Sequence, residues 1–592
     1  MILQSLVRVA ERQAASSAHG NERGFDTKKV EWIIDIDLAG VVHGVTWTGQ
    51  RSPGAKKDDF LTLSIPKRCG RTSGVAADLL VDKAGYLFGL ETPKKKDRRN
   101  EQVIAALEAL APLADLPEVA AQMAAMRQIV ADLPAFSLIW SRGRSTVKVP
   151  CLSGEVEVPK DWVDGHLFAF RIVGGLFIIA VPKVRAWISA QAAAAGVVDA
   201  DSANQDLCLV TGLWSTPKTL IDAVSLPGPA GDGGPIKLIS FNAEAFCHLT
   251  RSGNENAPIS VDAADRLFDG LQYLCRPKST NLKRLNGKTT VLFWMDGAIQ
   301  SDALDDLLGP CLEADPATVR RVEAIYAAPQ DGRPAPAIDS TPFCSLVLTR
   351  EKGRVSVRSA LLSTVGDVAQ HVLRWFRDLD LGYQDGPPYR ALWMLAKAIV
   401  ARDDEPAHDL MSRFYLCAIT GAPLPVEGMA AILRRLRAHD KDADSPSRIA
   451  LIKATLIRSY HKEIPVSLDP DYPDTAYHLG RLFALLEQIQ DKAINANAGI
   501  ADRYLGAAMG TPALVFPRLL KLHHHHLSKI GGGLEVTWAR QIDGIVAKLP
   551  PRLPTTQKLA DQGTFMVGYH HQRAQRFVKT TDTDLTNPKD QQ

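Results

Sequence analysis

The sequence predicts an α+β protein: a mixed α/β N-terminal domain, a mainly helical middle region and a C-terminal helical bundle. Three observations carry that expectation. Runs rich in β-branched and aromatic residues, spaced by glycine-bearing turns, recur through the first half. From Val368 onward, apolar residues return every three or four positions with few interruptions, the period of helices that bury one face. A proline- and alanine-rich run at 326–342 separates the two patterns, and a second break at 465–473 divides the helices. Domains are therefore expected at 1–335, 343–464 and 466–592, since 592 residues are too many for one core.

Taken in order, residues 1–15 place Ile2, Leu3, Leu6, Val9 and Ala10 on one helical face before a polar stretch ends the pattern. Runs 30–36 and 41–47 flank Asp37-Leu38-Ala39-Gly40 and read as a hairpin, with Gly40 free to take a positive φ. An alanine-rich helix is expected to begin near Asn100. Further strands are expected at 137–149, 167–173, 176–181, 237–241 and 290–295. Beyond the proline-rich run, 345–357 reads as a hairpin around Lys352-Gly353. No short-period repeat is present, which excludes a solenoid.

Composition narrows the function. A formal charge of +3 is small for this length, so affinity for nucleic acid must come from local clusters. The eight cysteines form no C-x-x-C pair and have no histidine at zinc-finger spacing, which fits reduced thiols and no metal. The N-terminus lacks the order of a signal peptide, and no window offers the roughly 18 apolar residues of a membrane span. A soluble cytoplasmic protein is expected. There is no phosphate-binding glycine loop, nucleophile elbow or H-E-x-x-H helix, so neither catalysis nor a cofactor is expected. The rival is a metal-dependent nuclease built around Asp35 and Asp37, although strand alternation already accounts for Asp35.

Several clusters suit a polyanion. Lys67, Arg68, Arg71, Thr72 and Ser73 share a loop with Gly70 and Gly74, the mixture that brings backbone close to phosphates and base edges. The alternative is a surface loop in which Arg71 pairs with Asp78 or Asp82. Lys94, Lys95, Lys96, Arg98 and Arg99 cannot be paired within their own segment and point to duplex phosphates, or else to a solvated helix start. Asn242, Asn254 and Asn256 suit base reading or turn capping, with a structural role favoured. Arg434, Arg435, Arg437, Arg448, Lys453 and Arg458 punctuate the middle helices; Arg434 and Arg437, one turn apart on one side, could follow a nucleic-acid backbone, or the set forms a solvated helix face. Arg518, Lys521, His525 and Lys529 recur on one side of a C-terminal helix, a stripe able to hold single-stranded DNA. The run His523–His526 is a poor metal site, because consecutive helical residues diverge and no carboxylate or cysteine completes it. Residues 569–573 suit packing or strand contact better than catalysis.

The wording of the chain is also specific. MILQSLVRVAERQ at the start, RTSGVAADLLVDKAGYLFG from Arg71, CLVTG from Cys208, SFNAEAF from Ser240, NENAPIS from Asn254 and TTVLFWMD from Thr289 occur in that order. AYHLGRLFALLEQIQ, DRYLGAAMGTPALVFPRLLKLHHHHLSKI and LADQGTFMVGYHHQR follow in the C-terminal region. With these motifs the chain resembles the large subunit of the type I-C CRISPR surveillance complex, Cascade, along nearly its whole length. It departs from the family pattern at SLVLTREKGRVSVR, from Ser345.

The resemblance implies a non-catalytic subunit that recognises the protospacer-adjacent motif (PAM) in duplex DNA and promotes strand separation and R-loop formation. It would also hold the displaced strand and help to recruit the helicase-nuclease. Arg71, Thr72 and Lys83 carry over as PAM-region residues. The implied partners are crRNA, a repeated backbone subunit, a crRNA-handling subunit, helical small subunits and target DNA. A separate small subunit made by internal initiation, at Val466 or Met429, is implied as well. A scaffold that binds protein subunits alone is the further alternative.

Overall fold

The computed structural model describes residues 2–16, 24–50, 59–67, 75–89, 99–131, 146–151, 154–159, 165–194, 205–219, 221, 223–224, 236–241, 243–248, 251–276, 279–296, 340–351, 354–382, 390–400, 409–438, 445–494 and 499–575. They confirm an α+β protein, with strands concentrated before residue 365 and helices after it. The chain forms two compact units, 3–224 with 235–273, and 274–592.

The first unit opens with the expected helix, α1 (Ile2–Ser16). Strand β1 (Phe25–Val30) is followed by β2 (Trp32–Ile36), β3 (Val42–Trp47) and β4 (Leu61–Pro66), and β1 pairs antiparallel with β4. The predicted hairpin is β2–β3, and Gly40 closes it at φ 81°. A Cβ on Gly40 would lie 2.6 Å from the Ala124 side chain, so the turn needs glycine for packing as well as for conformation. Next come β5 (Asp82–Lys83), α2 (Ala84–Phe88), α3 (Arg99–Leu110), α4 (Pro117–Ala131), β6 (Thr146–Cys151), β7 (Gly154–Pro159), β8 (Leu167–Ile172) and α5 (Pro182–Ala194). Six of these strands form one mixed sheet in the order β5-β8-β2-β3-β6-β7.

Its core is aromatic. Trp32 stacks on Phe168 at 5.6 Å and meets Trp47 edge-on at 5.0 Å, the geometries favoured by ring quadrupoles. Trp32 Nε1 donates to His166 Nδ1 at 3.0 Å, and burial pushes the His166 ring down to about 4, keeping it neutral and able to accept.

Two expected strands differ, and residues 137–145 of the strand expected at 137–149 lie outside the described residues. Residues 176–181 contain a bridge at Phe177 and a 3₁₀ turn, Ile178–Ala180, that buries Ile178 and Ile179. Leu176 stays exposed beside the Gly174-Gly175 turn, so consecutive residues rather than alternate ones enter the core. At 237–241 only the start is extended: β9 (Asp206–Leu207) pairs with β10 (Trp214–Ser215), and β11 (Ala223–Val224) with β12 (Ile236–Lys237). Helix α6 (Val261–Leu274) closes the unit.

The second unit begins with an antiparallel sheet, β13 (Leu282–Arg284), β14 (Thr289–Met295), β15 (Pro342–Glu351) and β16 (Arg354–Thr364). Helix α7 (Val365–Leu379) starts at Thr364, whose side chain accepts the Asp367 N–H, and its apolar face packs on the sheet. Helices α8 (Leu392–Ile399), α9 (Leu410–Thr420), α10 (Val426–Arg437) and α11 (Pro446–Tyr460) follow. The break at 465–473 is real, bounded by His461 at φ 54° and by Asp474, which accepts the Ala476 and Tyr477 N–H groups to start α12 (Thr475–Ala493). Then come α13 (Ile500–Gly510), α14 (Pro512–Ile530), α15 (Gly532–Val546) and α16 (Leu559–Ala574).

One apolar face of α12, Leu479, Leu482, Phe483, Leu486 and Ile489, is wholly buried. Helix α16 packs against it, and its other side meets Met429 of α10 and Ile452 and Leu456 of α11 at Gly563. The described residues of 466–575 therefore share a core with the helices that precede them.

Candidate nucleic-acid interface

Helix α14 carries the clearest candidate. Val515, Phe516, Leu519, His523 and Leu527 bury one side of it, while Arg518, Lys521, His525 and Lys529 are all exposed on the other. The division follows from the 3.6-residue turn. Arg518 lies over the Tyr504 ring of α13, 5.7 Å from its centroid. None of the four side chains is engaged by a carboxylate among the described residues. Lys529 also sits in the last turn, where the helix dipole favours a cation.

Of the basic segment near residue 70, the described residues are Lys67 and those from Val75 onward. Arg68, Arg71, Thr72 and Ser73 lie outside the described residues, as do Lys94, Lys95, Lys96 and Arg98, while Arg99 opens α3. Lys67 is anchored: its backbone N–H bonds to Gly24 O at 2.8 Å, and its ammonium lies 3.1 Å from Asp269 and 3.6 Å from Asp265. Asp265 is shared with Lys218, and burial pushes Asp269 up to about 6.

At the other end, the fully buried Asp82 carboxylate accepts the N–H groups of Asp78 and Lys83 at 2.8 and 2.7 Å. Leu80 takes φ 66°, unusual for a branched side chain, and Gln122 of α4 holds its carbonyl at 2.9 Å. Lys83 thus projects from a tightly determined turn. Nothing in the local sequence signals the left-handed residue, because leucine is not a residue that chooses it.

The asparagines for which partners are seen bond to backbone groups. Asn256 accepts the His248 N–H at 2.7 Å and donates to Gly253 O at 2.9 Å, beside a Ser252–Glu255 capping box. Asn254 is buried and donates to Lys218 O. Asn242 lies outside the described residues.

Three middle-region cations require correction. Arg448, Lys453 and Arg458 are buried, neither solvated nor available to a nucleic-acid backbone. Lys453 donates to the Asp380 carbonyl at 2.6 Å and to those of Arg377 and Asp378, capping α7, and Arg458 Nε pairs with Asp378 Oδ2 at 2.6 Å. Arg437 bonds Gln562 of α16, whereas Arg434 is exposed.

In the histidine run His523 is turned inward to the Leu520 carbonyl, and its ring lies 4.0 Å from that of His524, centroid to centroid. No group of three or more potential metal ligands occurs among the described residues. Residues 569–573 form a buried packing network: Tyr569 donates to Glu487 at 2.9 Å, Tyr477 and His571 share a bond of 2.9 Å, and burial pushes His571 down to about 3.

Asp35 and Asp37 are also committed. Arg171 grips Asp35 with two bonds, of 2.7 and 3.0 Å, at the wall of a cleft of about 340 Å³. Asp37 accepts the Ala39 and Val41 N–H groups at 2.9 Å and meets His43 at 3.0 Å, interactions that hold its carboxyl below the usual range.

No helix among the described residues is long and apolar enough to cross a membrane. No curated protein matches the chain. The model of the CRISPR-associated protein family Cas_Csd1 does, over residues 6–577. With that span covering most of both units, the chain belongs to the Cas_Csd1 family of CRISPR-associated proteins.

Proposed function

We propose that this chain is the non-catalytic large subunit of a type I-C RNA-guided surveillance complex. It reads the PAM in duplex DNA, promotes strand separation and R-loop formation, holds the displaced strand and helps to recruit the helicase-nuclease in antiviral defence. Its partners are crRNA, a repeated backbone subunit, a crRNA-handling subunit and helical small subunits. The observation that carries the reading is the exposed row Arg518, Lys521, His525 and Lys529 on α14, without a carboxylate partner among the described residues, within a chain that belongs to a CRISPR-associated family. Such a row follows a phosphate backbone without reading sequence, which suits a strand whose identity is set by RNA pairing elsewhere.

In this reading Arg68, Arg71, Thr72 and Ser73 approach the PAM, with Lys67 and Lys83 holding the two ends of the segment, while Lys94, Lys95, Lys96, Arg98 and Arg99 meet duplex phosphates. Arg518, Lys521, His525 and Lys529 hold the displaced strand.

Two measurements on the reconstituted, crRNA-loaded complex test it. Arg71→Ala is expected to weaken binding to the correct PAM by about 1–3 kcal/mol while changing a mutated PAM little, the mark of a base-edge contact. Equal affinity of variant and wild type for both duplexes removes Arg71 from recognition. Each of Arg518→Ala, Lys521→Ala and Lys529→Ala is expected to reduce the slope of log affinity against log salt by about 0.7, with PAM choice intact. An unchanged slope in the triple variant would return this face to ordinary solvated surface.

A further inference from the structure

The α14 face is not purely cationic. Leu514 lies one turn before Arg518 and is 77 % exposed, and Leu522 lies one turn after it at 40 %. Leu514, Arg518, Lys521, Leu522, His525 and Lys529 are linked by steps of three or four residues, with Lys521 and Leu522 side by side, and so lie on one side of the helix. Tyr504 extends the apolar part from α13, with its ring beneath the Arg518 guanidinium.

We propose that this face binds the bases of an unpaired strand as well as its phosphates, with Leu514, Leu522 and the Tyr504–Arg518 pair contacting the bases. The inference rests on the reading of α14 as the displaced-strand surface and adds the groups that select single strand over duplex. A duplex offers phosphates to the cations but keeps its bases stacked on one another, leaving the leucines against water. A single strand offers both, because each nucleotide pairs a charged phosphate with an apolar base face. The guanidinium over Tyr504 presents a flat surface on which a base of any identity can stack. Charge complementarity favours a polyanion over an apolar protein helix, since the cations on this face have no carboxylate partner among the described residues.

The test uses the full chain, a fluorescent oligothymidylate and a strand of equal length carrying abasic sites, both titrated by anisotropy at several salt concentrations. Wild type is expected to bind the base-bearing strand about tenfold more tightly than the abasic one. Leu514→Ser, whose side chain faces solvent and bears little on folding, is expected to erase most of that preference while leaving the salt slope unchanged. Tyr504→Leu should do the same and Tyr504→Phe should retain the preference. Equal wild-type affinity for the two strands overturns the inference, as does full base preference in Leu514→Ser. If either result appears while the Arg518, Lys521 and Lys529 triple variant still flattens the salt slope, base contact fails and strand holding stands. If the triple variant leaves the slope intact, the reading of the face fails as a whole. Loss of a protein subunit from the complex of Leu514→Ser, with DNA binding unaltered, identifies a protein interface at Leu514 and overturns the inference.

Discussion

Asp378→Asn is expected to destabilise the second unit by about 3–5 kcal/mol, the cost of leaving a buried charge without its partner. Arg458 is almost completely buried, with Nε 2.6 Å from Asp378 Oδ2 and the Nη1 group donating to the Cys417 carbonyl at 2.7 Å. Its guanidinium also lies over Trp375 at 5.1 Å. Lys453, one and a half turns earlier on α11, brings a second buried ammonium to the carbonyls at the end of α7. The partial negative charge of that helix terminus helps to hold the lysine, and burial still pulls its pKa down. Asp378 is thus the carboxylate at a junction of two buried cations. Urea unfolding monitored by tryptophan fluorescence checks the prediction, with a lower midpoint expected. Adding Arg458→Met should restore much of the loss, because an apolar side chain needs no counter-charge. A loss under about 1 kcal/mol in the single variant would mean that water reaches Arg458.

Gly480→Ala is expected to cost about 3 kcal/mol, at the upper end of overpacking. Where α12 crosses α16, a Cβ on Gly480 would lie 2.0 Å from the Phe565 carbonyl oxygen and 2.7 Å from the Tyr569 nitrogen. On the facing helix, a Cβ on Gly568 would lie 2.1 Å from the Tyr477 carbonyl oxygen. The obstruction is backbone in each case, so no rotamer change relieves it and the two helices must separate. Phe483, Phe565 and Tyr569, whose rings meet around 6 Å apart at this crossing, would lose contact together. Gly568→Ala should behave alike. Gly544→Ala in α15, where a Cβ meets nothing within 4 Å, serves as the control and is expected to stabilise slightly through helix propensity. A Gly480→Ala protein that melts with wild type would show that the helices are not in backbone contact. Since α14 packs on α12, the crossing also supports the helix that carries the proposed strand-binding face.

The α14 face was legible because Arg518, Lys521, His525 and Lys529 repeat on a helix with a single buried side, so spacing alone separates the outward groups from Phe516 and Leu519. The same reasoning failed on α11. Arg448, Lys453 and Arg458 read in sequence as solvated helix positions, yet this helix is buried nearly all round, and its cations are satisfied by groups roughly fifty to eighty residues earlier in the chain. Periodicity reports which residues share a face, not how many faces a neighbour will cover. Lys67 illustrates a related limit: its loop composition suits phosphate, but Asp265 and Asp269 reach it from α6, some two hundred residues away.

By itself the sequence determined the α+β class, the β2–β3 hairpin with its glycine turn, the helix-rich second half and the exposed row on α14. Each depends on local period and turn chemistry, which neighbouring residues encode directly. Tertiary structure alone decided which charges are available and which are spent. It turned 176–181 into a 3₁₀ turn, drove Leu80 into the left-handed region beside Asp82, and locked α12 to α16 through two glycines. The physical reason is that desolvation and ion pairing depend on what approaches from distant parts of the chain, and a buried cation differs from an exposed one only through those neighbours.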